Sequence, residues 1–504
     1  MLRSASSFVL VGAAAEPCRI EVDLSPHGLP TMGIVGLPDA AVRESAERVR
    51  TAVRNGGFEW PRHRLTVNLA PADRRKEGPV YDLPIAVATL ACSGVIPSES
   101  RGGRRIDRWL MGGELALDGT IRPVRGAIAM TVLARRLSLD GVVVAEESVG
   151  EASLVPGISV FGARNLVEVV AFLSDQERIA PDPPQRECGT PGKARRDDRL
   201  ARVIGQSTPT RAVEIAAAGG HNLLLCGPPG CGKTMLARGL AGILPPLDDA
   251  SALEVAMIRS AAGLPPEVPG FWMPPFRSPH HTSSAVAMVG GGAIPRPGEI
   301  SLAHRGVLLL DEFPEFTRSA IDALREPLED GVITIARAAG TVRMPAKALV
   351  VATMNPNRGM DGGRRHGRDG LERIGGPMLD RFDLQVEVKP PSFDWFLDTT
   401  RRVKDLGPVR RRVEKARDLA ASRATDSVAG RDVEDPGNIG EVGPADLRHL
   451  VRSIEQLGLS VRALDRVRRI ARTIADLESE DRVLRSHLDE ALSFRILDRG
   501  SELA

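Results

Sequence analysis

Short apolar runs recur along this chain, each closed by charged or turn-forming residues, and they alternate with segments of helical period. Three runs after residue 200 have an unbroken apolar centre: Asn222-Leu-Leu-Leu-Cys226, Gly306-Val-Leu-Leu-Leu-Asp-Glu312 and Ala348-Leu-Val-Val-Ala-Thr-Met-Asn-Pro356. A strand with one wet face alternates apolar and polar residues, whereas one covered on both faces stays apolar. The three runs are therefore read as buried parallel strands. Arg211-Ala-Val-Glu-Ile-Ala-Ala-Ala before the first and Met235-Leu-Ala-Arg-Gly-Leu-Ala-Gly after it are helical in composition, so residues 201–390 are expected to form an α/β core.

Residues 1–173 mix both periods. Phe8–Ala15 is expected to be a strand that flows into the period-two run Cys18-Arg-Ile-Glu-Val-Asp-Leu24. Ala41–Gly56 reads as a charged helix, Arg64–Ala70 as a strand, Asp82–Gly94 as a buried helix and Gly141–Ala145 as a buried strand. These predict a separate α/β or α+β domain. Residues 174–200, rich in Pro, Gly and mixed charge, read as a linker; the acids among its bases weigh against a nucleic-acid arm. A polar stretch broken by Pro and Gly runs from about 390 to 443. Beyond it Leu447, Leu450, Val451, Ile454 and Leu457, then Leu464, Val467, Ile470, Ala471, Ile474 and Leu477, recur at helical spacing. Residues 391–504 are thus expected to be a helical module.

Composition narrows the partners. The chain has 504 residues, too many for one core, and a net charge of +2. Any nucleic-acid contact must then be a local patch. Aromatics are 3% of residues, with one tyrosine, which excludes a wide base-stacking platform. Five cysteines (Cys18, Cys92, Cys188, Cys226, Cys231) lack C-x-x-C spacing. That argues against a zinc ribbon or disulfide framework and for a reducing, cytoplasmic setting. No apolar run is long enough to span a bilayer, so no membrane partner is expected. Phe8–Ala15 has only Arg3 before it and is read as a strand, not a signal peptide.

Gly227-Pro228-Pro229-Gly230-Cys231-Gly232-Lys233-Thr234 matches G-x-x-x-x-G-K-[ST] at every position, between a strand and a helix. The glycines let successive N–H groups turn inward around phosphate oxygens at a positive helix end. Lys233 can reach the β- and γ-phosphates, and the Thr234 hydroxyl can hold Mg²⁺. Asp311 and Glu312 close the second strand, at the edge where open α/β sheets bind ligands. Asp311 suits the Mg²⁺ shell and Glu312 suits polarising an attacking water. Asn355 ends the third strand, where it can orient that water; an Asn-Pro turn is the alternative. Arg381 can reach a neighbour's site and stabilise transition-state charge, or pair internally with Asp380 or Asp383. Arg462 opens the second C-terminal helix, as a second sensor over the nucleotide or as a solvated arginine.

These motifs resemble AAA+ ATPases of the magnesium-chelatase-like branch. The most specific stretches are Glu214–Ala241, Arg277-Ser-Pro-His-His-Thr282, Pro295-Arg-Pro-Gly-Glu-Ile-Ser-Leu-Ala-His304 and Ile333–Arg343. The resemblance implies a P-loop AAA+ core with a helical lid, assembled as a homo-hexameric ring with ATP and Mg²⁺ between subunits. It implies Lys233, Thr234, Asp311 and Glu312 acting in cis, Asn355 as first sensor, Arg381 as arginine finger and Arg462 as second sensor. Residues 277–304 resemble a helix insertion facing the ring pore, and 332–347 a hairpin. On that hairpin Arg337, Arg343 and Lys347 could touch phosphates of threaded DNA, or be ordinary solvated charge. The implied activity is a motor on single-stranded or branched DNA, as in branch-migration helicases of recombination and natural transformation. The rival is a protein-remodelling motor resembling the magnesium-chelatase ATPase subunit.

Ala41–Ala86 resembles the amino-terminal domain of ComM/YifB-type members, which is similar to the Lon protease fold. A Ser–Lys dyad would fall at Val80 and at Ile128 or Met130, none of which can act as nucleophile or base. The resemblance thus implies the fold without the protease. Related sequences carry cysteines after the Asn-Pro, but Asn355–Asp369 has none and one histidine, so no zinc site is expected. His280 and His281, read as strand neighbours, are expected to face opposite ways.

Overall fold

A computed structural model of the chain describes residues 2–25, 29–97, 104–175, 197–203, 205–264, 270–292, 295–337, 340–355, 373–390, 405–428 and 442–495. Most of the linker and the Gly-rich segment after Asn355 lie outside the described residues.

The amino-terminal part begins with β1 (Leu2–Val11) and β2 (Ala14–Ser25), an antiparallel pair in which Val11 faces Ala14. This corrects the expected single strand through Phe8–Ala15. Gly12, at φ +63°, turns the chain with Ala13, a conformation glycine adopts freely and an apolar run does not announce. Then come β3 (Met32–Val35), β4 (Arg64–Ala70), β5 (Trp109–Met111), the small pair β6 (Glu114–Leu115) and β7 (Ile121–Arg122), β8 (Gly141–Ala145) and β9 (Ser159–Ala163). They build a mixed seven-stranded sheet, β3-β4-β2-β1-β5-β8-β9, without β6 and β7. The helices are α1 (Ala40–Asn55), α2 (Asp82–Cys92), α3 (Ala127–Arg136), α4 (Val149–Ala152) and α5 (Leu166–Leu173). Every residue of α2 is buried. Its one carboxylate, Asp82, accepts from Arg48 of α1 (Nε 2.8 Å, Nη2 3.1 Å) and from the Leu115 N–H at 3.3 Å.

The second sheet contains β10 (Leu223–Cys226), β11 (Phe276–Arg277), β14 (Val307–Leu310), β17 (Leu349–Met354) and β18 (Leu384–Glu387), in the order β11-β14-β17-β10-β18 and parallel throughout. All residues of β10, β14 and β17 are buried, as their unbroken apolar centres require. α6 (Ser207–Gly219) and α7 (Lys233–Ala241) flank it, and α8 (Asp249–Ala262) packs toward α3. Two hairpins project from this core: β12 (Gly290–Gly291) with β13 (Arg296–Pro297), and β15 (Val332–Arg337) with β16 (Gly340–Pro345). The core also reaches back to Leu200, buried against α7 where Gly239 lets the backbones meet.

Helices Pro444–Gln456 and Val461–Glu478 form where the spacing predicts, and a further helix, Arg485–Ser493, follows. In the first, Leu450 and Ile454 are buried, while Leu447 and Val451 are exposed. The stretch expected to be broken by Pro and Gly holds a helix, Gly407–Val428. Its apolar stripe is only Val409, Val413 and Ala416 among Arg, Lys and Glu, too thin to stand out by period. Val413 and Ala416 join one core cluster with β10, α6 and Val467 to Ile474.

Candidate active site

β10 delivers the chain to Gly227–Thr234 and α7 carries it away. Where the loop leaves the sheet, a Cβ on Gly227 would lie 2.2 Å from the Val388 carbonyl oxygen, so no side chain fits. Gly230 and Gly232, at φ +81° and +94°, curl the loop. Lys233 is 8% exposed. Its ammonium donates to the Gly227 and Pro228 carbonyls and to Asn355 Oδ1, each at 2.8 Å. The lysine and the asparagine meet because β17 lies beside β10.

Across the same mouth, Thr234 Oγ1 donates to Asp311 Oδ2 at 3.1 Å. Thr353 Oγ1 donates to Asp311 Oδ1 at 2.6 Å and accepts the Glu312 N–H at 3.0 Å. Thr353 is buried on β17 and went unremarked in the sequence, although it is the one polar break in that run before Asn355. It aligns both carboxylate residues. Glu312 has φ +53°, a left-handed conformation that costs a non-glycine residue about 1 kcal/mol; the Thr353 bond helps hold it. Burial pushes the nearby Cys226 thiol up to about 12. The paired hydroxyl and carboxylate of Thr234 and Asp311 are the hard oxygen donors Mg²⁺ takes, and Lys233 with the curled loop fits phosphate oxygens.

Arg381 stands at the other end of the sheet. Its carbonyl accepts from Asn222 Nδ2 at 3.1 Å, just before β10 begins, whereas the phosphate loop follows the end of β10. Four strand residues separate these ends by roughly 13 Å. The guanidinium pairs with Glu329 and donates to the Pro377 carbonyl at 2.6 Å. Neither Asp380 nor Asp383 is its partner. Asp383 instead accepts the Asn222 N–H at 3.3 Å and faces His221 and Arg466, at 3.7 and 3.9 Å. Burial raises its pKa, but the His221 hydrogen bond and the cations of Arg469 and Arg466 outweigh that and hold it below the usual range. Arg466 lies one turn along the helix from exposed Arg462.

The β15–β16 hairpin is two-faced. Ile333, Ile335 and Met344 are buried, while Thr334, Thr341 and Arg343 are exposed. Arg343 is paired with Thr334 on that open face. Lys347 sits at the hairpin base, its stem against Gly331. Arg337 ends β15, and its side chain lies outside the described residues. His280 and His281 do not face apart: they sit in a turn, not a strand, with ring centroids 4.1 Å apart.

A parallel five-stranded sheet with a phosphate loop, an acidic pair on the next strand but one and a polar sensor position between them defines a P-loop ATPase of the AAA+ class. Three family models match the chain: "Magnesium chelatase, subunit ChlI" over residues 199–394, "Subunit ChlI of Mg-chelatase" over 20–148, and "Magnesium chelatase, subunit ChlI C-terminal" over 406–495. The chain is 43% identical to an uncharacterized protein YifB of Salmonella typhimurium and 42% to its Escherichia coli counterpart, over 97% of this chain and 96% of each relative. It is 40% identical to competence protein ComM of Haemophilus influenzae at the same coverage. The chain belongs to the ComM/YifB type of magnesium-chelatase-like AAA+ proteins. Among the described residues no helix is long and apolar enough to cross a membrane.

Proposed function

We propose that this protein is an ATP-hydrolysing motor that assembles as a homo-hexameric ring and moves on single-stranded or branched DNA. The observation that carries the reading is the split of the machinery between the two ends of β10. The loop, Asp311, Glu312 and Asn355 share one end, while Arg381 lies at the other. That separation, roughly the length of a four-residue strand, supports a site that a neighbouring subunit completes. In that ring Gly227–Thr234 and Lys233 bind the ATP phosphates. Thr234 and Asp311 hold Mg²⁺, which neutralises phosphate charge when bound. Glu312 takes a proton from the attacking water, Asn355 orients that water, and the neighbour's Arg381 stabilises charge developing on the γ-phosphate, with Arg462 as second sensor. Arg381 exchanges Glu329 for that phosphate when subunits meet.

The DNA reading draws support from exposed Arg343 on the open face of the β15–β16 hairpin and from the name of the ComM relative, which ties that protein to competence. The amino-terminal domain is read as Lon-like but without peptidase chemistry. A Cβ on Gly112 would come within 3.3 Å of both Val80 and Met130, so the dyad positions converge on apolar groups. The test is ATPase activity of the full chain with forked and single-stranded DNA at low salt, where phosphate contacts are strongest. Lys233→Ala and Glu312→Gln serve as controls for lost nucleotide binding and for binding without hydrolysis. Equal rates with and without DNA would return the reading to a protein-remodelling motor.

A further inference from the structure

Three contacts close on one another, two made by the amino-terminal domain on the motor and one within the motor. First, the domain's β1–β2 turn lies flat on β16: a Cβ on Gly12 would be 2.8 Å from Val342 Cγ1 and 3.5 Å from the Arg343 carbonyl oxygen. Second, Ala13 packs with Ile258 and Ala261 of α8 and with Leu302, while Ala256 of α8 joins the cluster of Ile128, Met130 and Leu133 on α3. At this seam Ser260 Oγ accepts the Gly126 N–H at 3.1 Å and donates to the Glu151 carboxylate. Third, α8 returns to the hairpin root. Glu254 holds His304 and Arg305, both at 3.2 Å. His304 Nδ1 accepts the Lys347 N–H at 3.1 Å, and the Arg305 N–H donates to the Lys347 carbonyl at 2.7 Å.

Hairpin, α8 and amino-terminal domain are thus tied pairwise in a closed circuit. Three bodies joined this way leave no internal hinge, so none of them can swing alone. We propose that the amino-terminal domain is a brace that makes α8 and the β15–β16 hairpin one moving unit, so that hydrolysis drives the hairpin and DNA on the hairpin is felt by the ATPase. The use of the hairpin on DNA rests on the function proposed above; the brace itself does not.

The geometry offers a direct test. A Gly12→Cys, Val342→Cys pair places two Cβ atoms within about 4.5 Å, the span of a disulfide. Cys18, Cys92, Cys226 and Cys231 are buried, and Cys188→Ser removes the thiol outside the described residues. Oxidation should tether domain to hairpin and leave the ATPase, with or without DNA, within about twofold of the reduced protein, because the two already move together. A tethered enzyme that stops turning over and recovers on reduction would overturn the brace. Loosening the circuit should do the opposite. Ser260→Ala, or the stronger Gly12→Val, should keep the unstimulated rate but cut the DNA stimulation ratio by about fivefold or more. Both should also lose hydrogen-exchange protection over residues 340–345. Unchanged protection in both variants would refute the brace. If wild-type protein shows no DNA stimulation, the DNA reading fails, and the exchange data and the tether still decide the brace.

Discussion

Thr353 shows how much of the chemistry hangs on one hydroxyl. It bonds Asp311 and the Glu312 backbone at once, so Thr353→Val removes both ties while keeping shape. The expected outcome is kcat lower by about 10- to 100-fold with nucleotide binding retained, since positioning and not phosphate contact is lost. A parallel loss of binding would show that the residue serves the loop instead. Glu151 makes a second prediction at this scale. Burial holds its carboxyl above the ordinary 4.5, despite bonds from Ser260 and Ile128. A carboxyl raised in the folded state favours folding most below its unfolded pKa, and that benefit is lost as pH rises through the folded value. Glu151→Gln should therefore melt at a higher temperature than wild type at pH 8, with the gap closing toward pH 5. A gap that widens on acidification would contradict this. The loop, Asp311, Glu312 and Asn355 were legible as residues because their spacing is imposed by phosphate and strand geometry. Thr353 was not, because a lone threonine in a strand is ordinary.

At the scale of elements, the strands were read to within a residue or two wherever burial on both faces left almost entirely apolar side chains, as at β10, β14 and β17. The β1–β2 turn and the helix Gly407–Val428 were missed for opposite reasons. Gly12 turns inside an apolar run, and the helix carries its three-residue stripe under a coat of charge. The all-buried α2 depends on one ion pair across to α1. Arg48→Ala would leave Asp82 buried without its cation, a loss of about 3–5 kcal/mol. Thermal melting of that variant should drop by several degrees, whereas Arg48→Lys should recover part of the loss. A melting point equal to wild type in the alanine variant would mean that Asp82 is neutral in the folded protein.

Across the whole molecule, the sequence could not show that Arg381 and the phosphate loop lie at opposite ends of β10. That placement rests on Asn222 and Asp383, which are unremarkable until β10 and β18 are placed side by side. A site split between chains predicts complementation. Glu312→Gln subunits keep Arg381, Arg381→Ala subunits keep an intact loop and acidic pair, and neither should hydrolyse ATP alone. Mixed rings should recover activity, peaking near equal ratio; Arg381→Ala activity on its own would place the site within one chain. The central claim, that this ring turns ATP into movement on DNA, is tested most directly by the ATPase rate of the full chain at low salt with and without forked or single-stranded DNA. The account predicts a several-fold rise that falls as salt is raised and is absent in Glu312→Gln. A rate that DNA leaves unchanged, in protein that does not bind DNA at low salt, would contradict it.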